Sequence, residues 1–267
     1  MIQDWLAAAV QLAQALPTAP THTTPQLQTD VVLALFGVVP LTNTMLTAST
    51  VTAVLIGVAA LLRCKLGHLP SGIQNIGELF VETWLAIAER TGGRRARRFV
   101  PLVGTAFVFI LAANVLGTLP LKHLRVINPD GQAVELFRAA TSDLNLTVAM
   151  ALIVVVAVEV LEIYTLGLRR YLKSLVIPNP MRWLEMLVRP LSLAFRLFGS
   201  VFAGHVLVGT MLTIAPLVVL PFLALELFMG LIQAVIFATL ALVFLSIATA
   251  HEQIRESDAG DAPNAAV

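Results

Sequence analysis

Five long, unbroken apolar runs govern what this chain can fold into: residues 42–62, 99–121, 144–168, 181–215 and 221–250. A helix of ~20 apolar residues crosses the roughly 30 Å of bilayer hydrocarbon, and every run reaches or exceeds that length. In hydrocarbon each backbone N–H and C=O must find its partner within the chain, which restricts spanning segments to helices and closed barrels. Barrel strands alternate apolar and polar residues over about ten positions, and these runs do not alternate. Composition agrees: 58% of residues are hydrophobic, 12% are charged, and the mean hydropathy is +0.87. That is too little charge to cover a soluble domain. The expected fold class is an all-α polytopic membrane protein with about five membrane-crossing helices.

The last two runs would each be on the order of 45–50 Å long as helices. Both exceed the bilayer, so strong tilt is expected, with Pro216 and Pro221 breaking the chain between them. Residues 71–90 differ from the spans. Ile73, Ile76, Leu79, Phe80, Trp84 and Ile87 recur at helical spacing, with Glu78, Glu82 and Glu89 between them. This reads as an amphipathic helix on the membrane surface.

Basic residues in the connections set the orientation. None precedes Arg63, whereas Arg63, Lys65, Arg90, Arg94, Arg95, Arg97 and Arg98 fall between the first two spans. Lys122, Arg125 and Arg138 are matched by three acids, and Arg169, Arg170, Lys173, Arg182 and Arg189 by one. The N-terminus is therefore expected outside and the C-terminus in the cytoplasm, with a bacterial inner membrane as the expected location. Three regions follow: an extracytoplasmic segment 1–41, a membrane domain 42–250, and a polar tail 251–267 expected to be disordered. The first twenty residues lack the basic stretch of a signal peptide and read as a short retained helix.

A net charge of +1 gives no footing for a nucleic-acid partner. The single cysteine, Cys64, excludes an intramolecular disulfide and a cysteine metal site. No phosphate loop, zinc spacing or nucleophile elbow occurs, so neither a catalytic site nor a cofactor is expected.

Chemistry is concentrated in polar residues inside the apolar runs. Arg196 lies well within the fourth, where a cation costs ~2.5–3.5 kcal/mol on insertion scales. A guanidinium does not escape that cost by losing its proton. Gly199, Ser200 and Ala203 follow at helical spacings of three, four and seven, so small residues line the face of Arg196 and permit close approach of another helix. His205, nine residues on, falls about 180° around the helix. Glu226 and Gln233 share one face of the fifth run, with Gly230 between them. Antiparallel packing would bring Gln233 toward Arg196 at mid-depth and Glu226 toward His205 nearer the outer side. A histidine and a carboxylate joined by hydrogen bonds or water can pass a proton. Glu159 and Glu162 either line a water-filled passage on the inner side or reach the interface. Asp143 and Asn145 stand where the third span begins and read as its cap.

The stretch RPLSLAFRLFGSVFAGH (189–205) resembles subunit a of F-type ATP synthases, and NVLGTLP (114–120), SDLNLTVAMAL (142–152) and LIQAVIFATLALVFLSIA (231–248) support the likeness. It covers about residues 70–250. The family's indispensable arginine falls on Arg196 and its glutamine on Gln233. A coupled acid and histidine fall on His205 and Glu226, in the order resembling mitochondrial and related bacterial members. Ser200 stands where the family commonly has Asn. The resemblance implies proton translocation through two offset half-channels beside a rotating c-ring, coupled to ATP synthesis or hydrolysis. The c-ring, the b subunits, the rest of the synthase and the lipid bilayer are then the expected partners. Two other readings stay open on residues alone: a secondary transporter binding an anion at Arg196, or a non-conducting scaffold.

Overall fold

The computed structural model describes residues 31–35, 39–64, 72–118, 125–127, 133–135, 138–169, 171, 180–215 and 218–261. The expected N-terminal helix and the last six residues lie outside these, as does Pro216. Six α-helices carry the described chain: α1 (Asn43–Cys64), α2 (Ile73–Gly92), α3 (Val100–Thr118), α4 (Leu144–Leu166), α5 (Pro180–Ile214) and α6 (Val219–Asp261). All but α2 hold a stretch long and apolar enough to cross a membrane, and the chain is an all-α polytopic membrane protein. Two short antiparallel hairpins accompany the helices. β1 (Val31–Leu35) pairs with β2 (Val39–Thr42) just before α1, and β3 (Arg125–Ile127) with β4 (Ala133–Glu135) between α3 and α4.

The helices form where the apolar runs leave the backbone no partner but itself. Hydroxyls within them donate to carbonyls of the preceding turn, as Thr50 does to Leu46, Thr105 to Pro101 and Ser246 to Leu242, so these hydroxyls are satisfied without water. α2 ends at Gly93, whose φ of 68° is a left-handed conformation that glycine adopts without a Cβ clash. A 3-10 turn, Arg94–Phe99, then leads straight into α3.

α5 and α6 run antiparallel: His205 meets Glu226 near one end, and the Arg189 guanidinium lies 5.5 Å above the Phe244 ring toward the other. Half of the apolar window of α6 is buried, against 11% for α1, so α6 is central and α1 peripheral. Phe237, Leu242 and Leu245 of α6 are fully buried with Leu193 and Leu197 of α5, Val103 and Ile110 of α3 and Val154 of α4. Lipid tails are as apolar as leucine, so close packing rather than water exclusion holds such helices together. Small residues set that closeness. A Cβ at Gly92 would strike Ser246, and one at Gly117 would strike the Ala139 backbone.

α2 packs by its aromatic side. Trp84 and Phe80 lie 5.3 and 5.8 Å, centroid to centroid, from the Phe107 ring of α3. Ile76 and Leu79 remain exposed beside them.

The expected disorder of the tail is corrected in part, because α6 continues unbroken through Asp261. Extending an existing helix adds one hydrogen bond per residue without a new nucleation cost. Glu252, Gln253, Arg255 and Glu256 are good helix formers, so polarity alone does not end the helix.

Candidate functional site

The apolar window of α5 runs from Trp183 to Met211. Arg196 lies thirteen residues after its start and fifteen before its end, which places the guanidinium's backbone ~20 Å from either end. Arg196, Gly199 and Ala203 are all exposed on the surface of the chain. Among the described residues, nothing beyond its own stretch of helix lies within 4 Å of where a Cβ on Gly199 would stand. Ser200 spends its hydroxyl on its own helix, donating to the carbonyls of Arg196 (3.0 Å) and Leu197 (3.2 Å). The result is a smooth strip of small residues bearing a cation that has no hydrogen-bonded side-chain partner among the described residues.

The opposite side of α5 is engaged inside the bundle. His205 Nδ1 stands 2.6 Å from Glu226 Oε1 on α6, with the glutamate side chain only 5% exposed. Gly204 makes that approach possible: a Cβ there would sit 3.2 Å from Glu226 Cγ, tighter than most real contacts. His205 is six residues from the Met211 end of its window, and Glu226 seven from the Val219 end of its own. Both therefore lie nearer the end of the bundle where α5 joins α6.

Gln233 is buried on the same face of α6 as Glu226, and its Nε2 has no hydrogen-bond partner among the described residues. The expected approach of Gln233 to Arg196 is not made as a hydrogen bond. The guanidinium turns outward while the amide turns inward.

Between Glu226 and Gln233, Gly230 meets a residue that sequence reasoning left unassigned. Asn114 of α3 is buried and donates from Nδ2 to the Gly230 carbonyl at 3.2 Å, and it accepts from the Thr141 hydroxyl. Gly230 has no side chain to hold Asn114 off, since a Cβ would lie 3.0 Å from that of Asn114. An asparagine within an apolar run was the available signal, because an amide in hydrocarbon needs a partner.

At the same end, Asp143 caps α4 by accepting from the Asn145 amide at 2.9 Å. Its second oxygen accepts from the Thr44 hydroxyl of α1 at 2.8 Å. Asn145 itself is exposed. Buried Asn43, Thr44, Thr47, Thr141, Ser142 and Thr147 complete a polar layer there.

Glu159 and Glu162 occupy the other end, both partly buried. Glu159 accepts from the Tyr171 hydroxyl at 2.7 Å, and Glu162 lies 3.9 Å from Arg189, which also meets Glu185 at 3.1 Å. Thr165 donates to the Ala248 carbonyl at 3.3 Å, tying the end of α4 to α6.

A polytopic helical bundle with an outward arginine at mid-depth and an inward histidine–glutamate pair defines the class: a membrane protein that carries ionisable groups within its spans, where such groups are costly. Comparison with known proteins narrows this. The ATP synthase A chain family matches residues 43–246. The chain is 37% identical to ATP synthase subunit a of Gloeobacter violaceus over 209 residues, covering 74% of this chain and 80% of that protein. It is also 37% identical to the chloroplastic subunit a of Stigeoclonium helveticum over 196 residues (71% and 76%). With subunit a of Moorella thermoacetica it shares 30% identity over 215 residues (79% and 92%). The chain belongs to the ATP synthase subunit a family.

Proposed function

We propose that the chain is the stationary ion-conducting subunit of an F-type ATP synthase, carrying protons between two half-channels beside a rotating c-ring. Its family membership supports the assignment to the synthase. The observation that carries the mechanism is the division of α5 into two faces, one presenting Arg196 outward and the other holding His205 against Glu226.

A ring of helices, each bearing a membrane carboxylate, fits the strip of Arg196, Gly199 and Ala203. Small residues let a passing helix come close, and a carboxylate arriving deprotonated is stabilised by the guanidinium in a low-dielectric setting. The burial cost of Arg196 is then offset by a charge that the partner supplies. Protons enter from the outer side through the polar layer and the His205–Glu226 pair, and Gln233 offers its buried amide farther along the same face. They leave toward the cytoplasm near Glu159 and Glu162. Arg196 between the two paths opposes a direct leak, because a fixed cation repels a proton. The b subunits hold this chain still, and the chain performs no bond-breaking chemistry itself. The N-terminus lies outside and the C-terminus in the cytoplasm.

Mild detergent extraction followed by affinity purification through this chain tests the assignment. A small, carboxylate-bearing ring subunit and peripheral-stalk subunits are expected to co-purify in fixed ratio. Recovery of this chain alone, with substrate-dependent uptake of an organic anion on reconstitution, would mark it as a carrier instead.

A further inference from the structure

Arg189 stands seven residues before Arg196, two helical turns and ~10 Å nearer the Trp183 end of the α5 window. Seven residues bring a helix back to within about 20° of its start. Glu185, Arg189, Arg196 and Ser200 therefore follow one strip of α5. The two arginines of that strip are set oppositely. Arg196 is exposed, with no hydrogen-bonded side-chain partner among the described residues. Arg189 is turned in among its neighbours, its side chain 22% exposed.

An arginine that only snorkels runs along its own helix to the headgroups and keeps its head in water. Arg189 begins six residues inside the apolar window and reaches across to two other helices instead. Its Nη1 lies 3.9 Å from Glu162 of α4, its Nη2 lies 3.1 Å from Glu185, and its plane rests over the Phe244 ring of α6. A planar guanidinium suits this threefold hold, because its fork divides between two carboxylates while its face stacks on an aromatic ring. The two carboxylates differ in setting: the Glu162 side chain is 13% exposed and that of Glu185 57%. Arg189 thus ties an interior acid to a surface acid at the end of the strip opposite His205.

We infer that Arg189 is a positioning residue for proton release, holding Glu162 ionised and in place to receive a proton that leaves the ring. The inference deepens the rotary function proposed above and rests on it. The ring's carboxyl gives its proton to the Glu162 carboxylate, which passes it to water beside Glu185 and is ionised again. Arg189 takes no proton at any stage, since a guanidinium stays charged. It acts through Glu162, by supplying the counter-charge that an ionised interior carboxylate needs.

ATP synthesis driven by an imposed proton gradient, in vesicles containing the assembled complex, tests this. Arg189→Gln is expected to lower the rate roughly tenfold, between the effect of losing an exposed ion pair and that of losing a fully buried one. Arg189→Lys should recover most of the rate, because an ammonium still supplies the charge. Glu162→Gln should slow synthesis as well, and adding Arg189→Gln to it should cause no further loss, as no carboxylate remains to be compensated. Subunit content of the purified complex shows that each variant assembles. Should Arg189→Gln not assemble, Phe244→Leu serves: it removes the ring beneath the guanidinium and should slow synthesis about two- to fivefold, again without effect once Glu162→Gln is present. A wild-type rate in Arg189→Gln, a lysine variant as slow as the glutamine variant, or losses that multiply in the double variant would overturn the inference. Arg196→Ala separates the two levels. If it is inactive while Arg189→Gln is normal, only the role of Arg189 falls; if it also works at the wild-type rate, the rotary mechanism falls with it.

Discussion

His205 Nδ1 and Glu226 Oε1 lie 2.6 Å apart, and this contact joins α5 to α6 on the side of α5 turned away from Arg196. Nine residues separate Arg196 from His205, half a revolution in net rotation. One helix thus leaves one face exposed and turns the other into the interior of its own bundle. A shared face would have set the arginine against any proton arriving at His205.

The pair is expected to act as a unit. His205→Glu and Glu226→His alone each place like groups together and remove a buried charge-assisted bond worth ~1.5–3 kcal/mol, a loss of roughly 10- to 100-fold. The double exchange restores one imidazole and one carboxylate at the same contact. ATP-driven acidification of inverted vesicles should recover above the worse single variant. A double exchange no better than that single variant would separate the two residues' roles.

Asn114 is expected to secure α6. Asn114→Leu removes the amide bond to the Gly230 carbonyl and strands the Thr141 hydroxyl, at a cost of about 1–2 kcal/mol. Adding Thr141→Ala should cost less than its own single effect, because the hydroxyl no longer needs a partner. Denaturation of the purified subunit in mixed micelles measures both. Strict additivity would show that the two side chains do not depend on each other. Gly230→Leu should destabilise more, since its side chain has to displace Asn114.

Gly199 separates stability from partnership. Gly199→Trp places a large ring where, among the described residues, nothing beyond its own stretch of helix stands within 4 Å, so the subunit itself should insert and fold as before. Close passage of a ring helix requires that space, and pumping should fall at least about tenfold, as expected when an interface is overpacked by 1–3 kcal/mol. Val54→Trp, on the exposed and peripheral α1, should leave pumping near wild type. Equal effects at the two positions would remove the special status of the Arg196 strip.

Much of this organisation was legible in the residues, for definite reasons. Apolar length fixed the spans because hydrocarbon leaves a backbone few options. Helical periodicity placed Arg196 and His205 on opposite sides, and the short connection between Ile214 and Val219 makes α5 and α6 antiparallel, which sets Glu226 near His205; Pro221, expected in that connection, falls instead in the first turn of α6, where a missing N–H costs nothing. Other features depend on neighbours that no local pattern names. Asn114 meets Gly230 across more than a hundred residues, Thr44 reaches Asp143, and Tyr171 finds Glu159. The hairpin β3–β4 has three-residue strands, too short for alternation to declare itself. Gln233 was expected to meet Arg196, but no such bond forms. The guanidinium is exposed on the surface of the chain, and a sequence read alone proposes partners only within itself.

Arg196 carries the central claim, and ATP-driven proton pumping by vesicles containing the assembled complex tests it most directly. Arg196→Ala leaves the strip of small residues intact and removes the one charge that would meet the ring's carboxylate. Pumping should be abolished while the complex still assembles and hydrolyses ATP. Pumping at the wild-type rate by the fully assembled variant would contradict the mechanism.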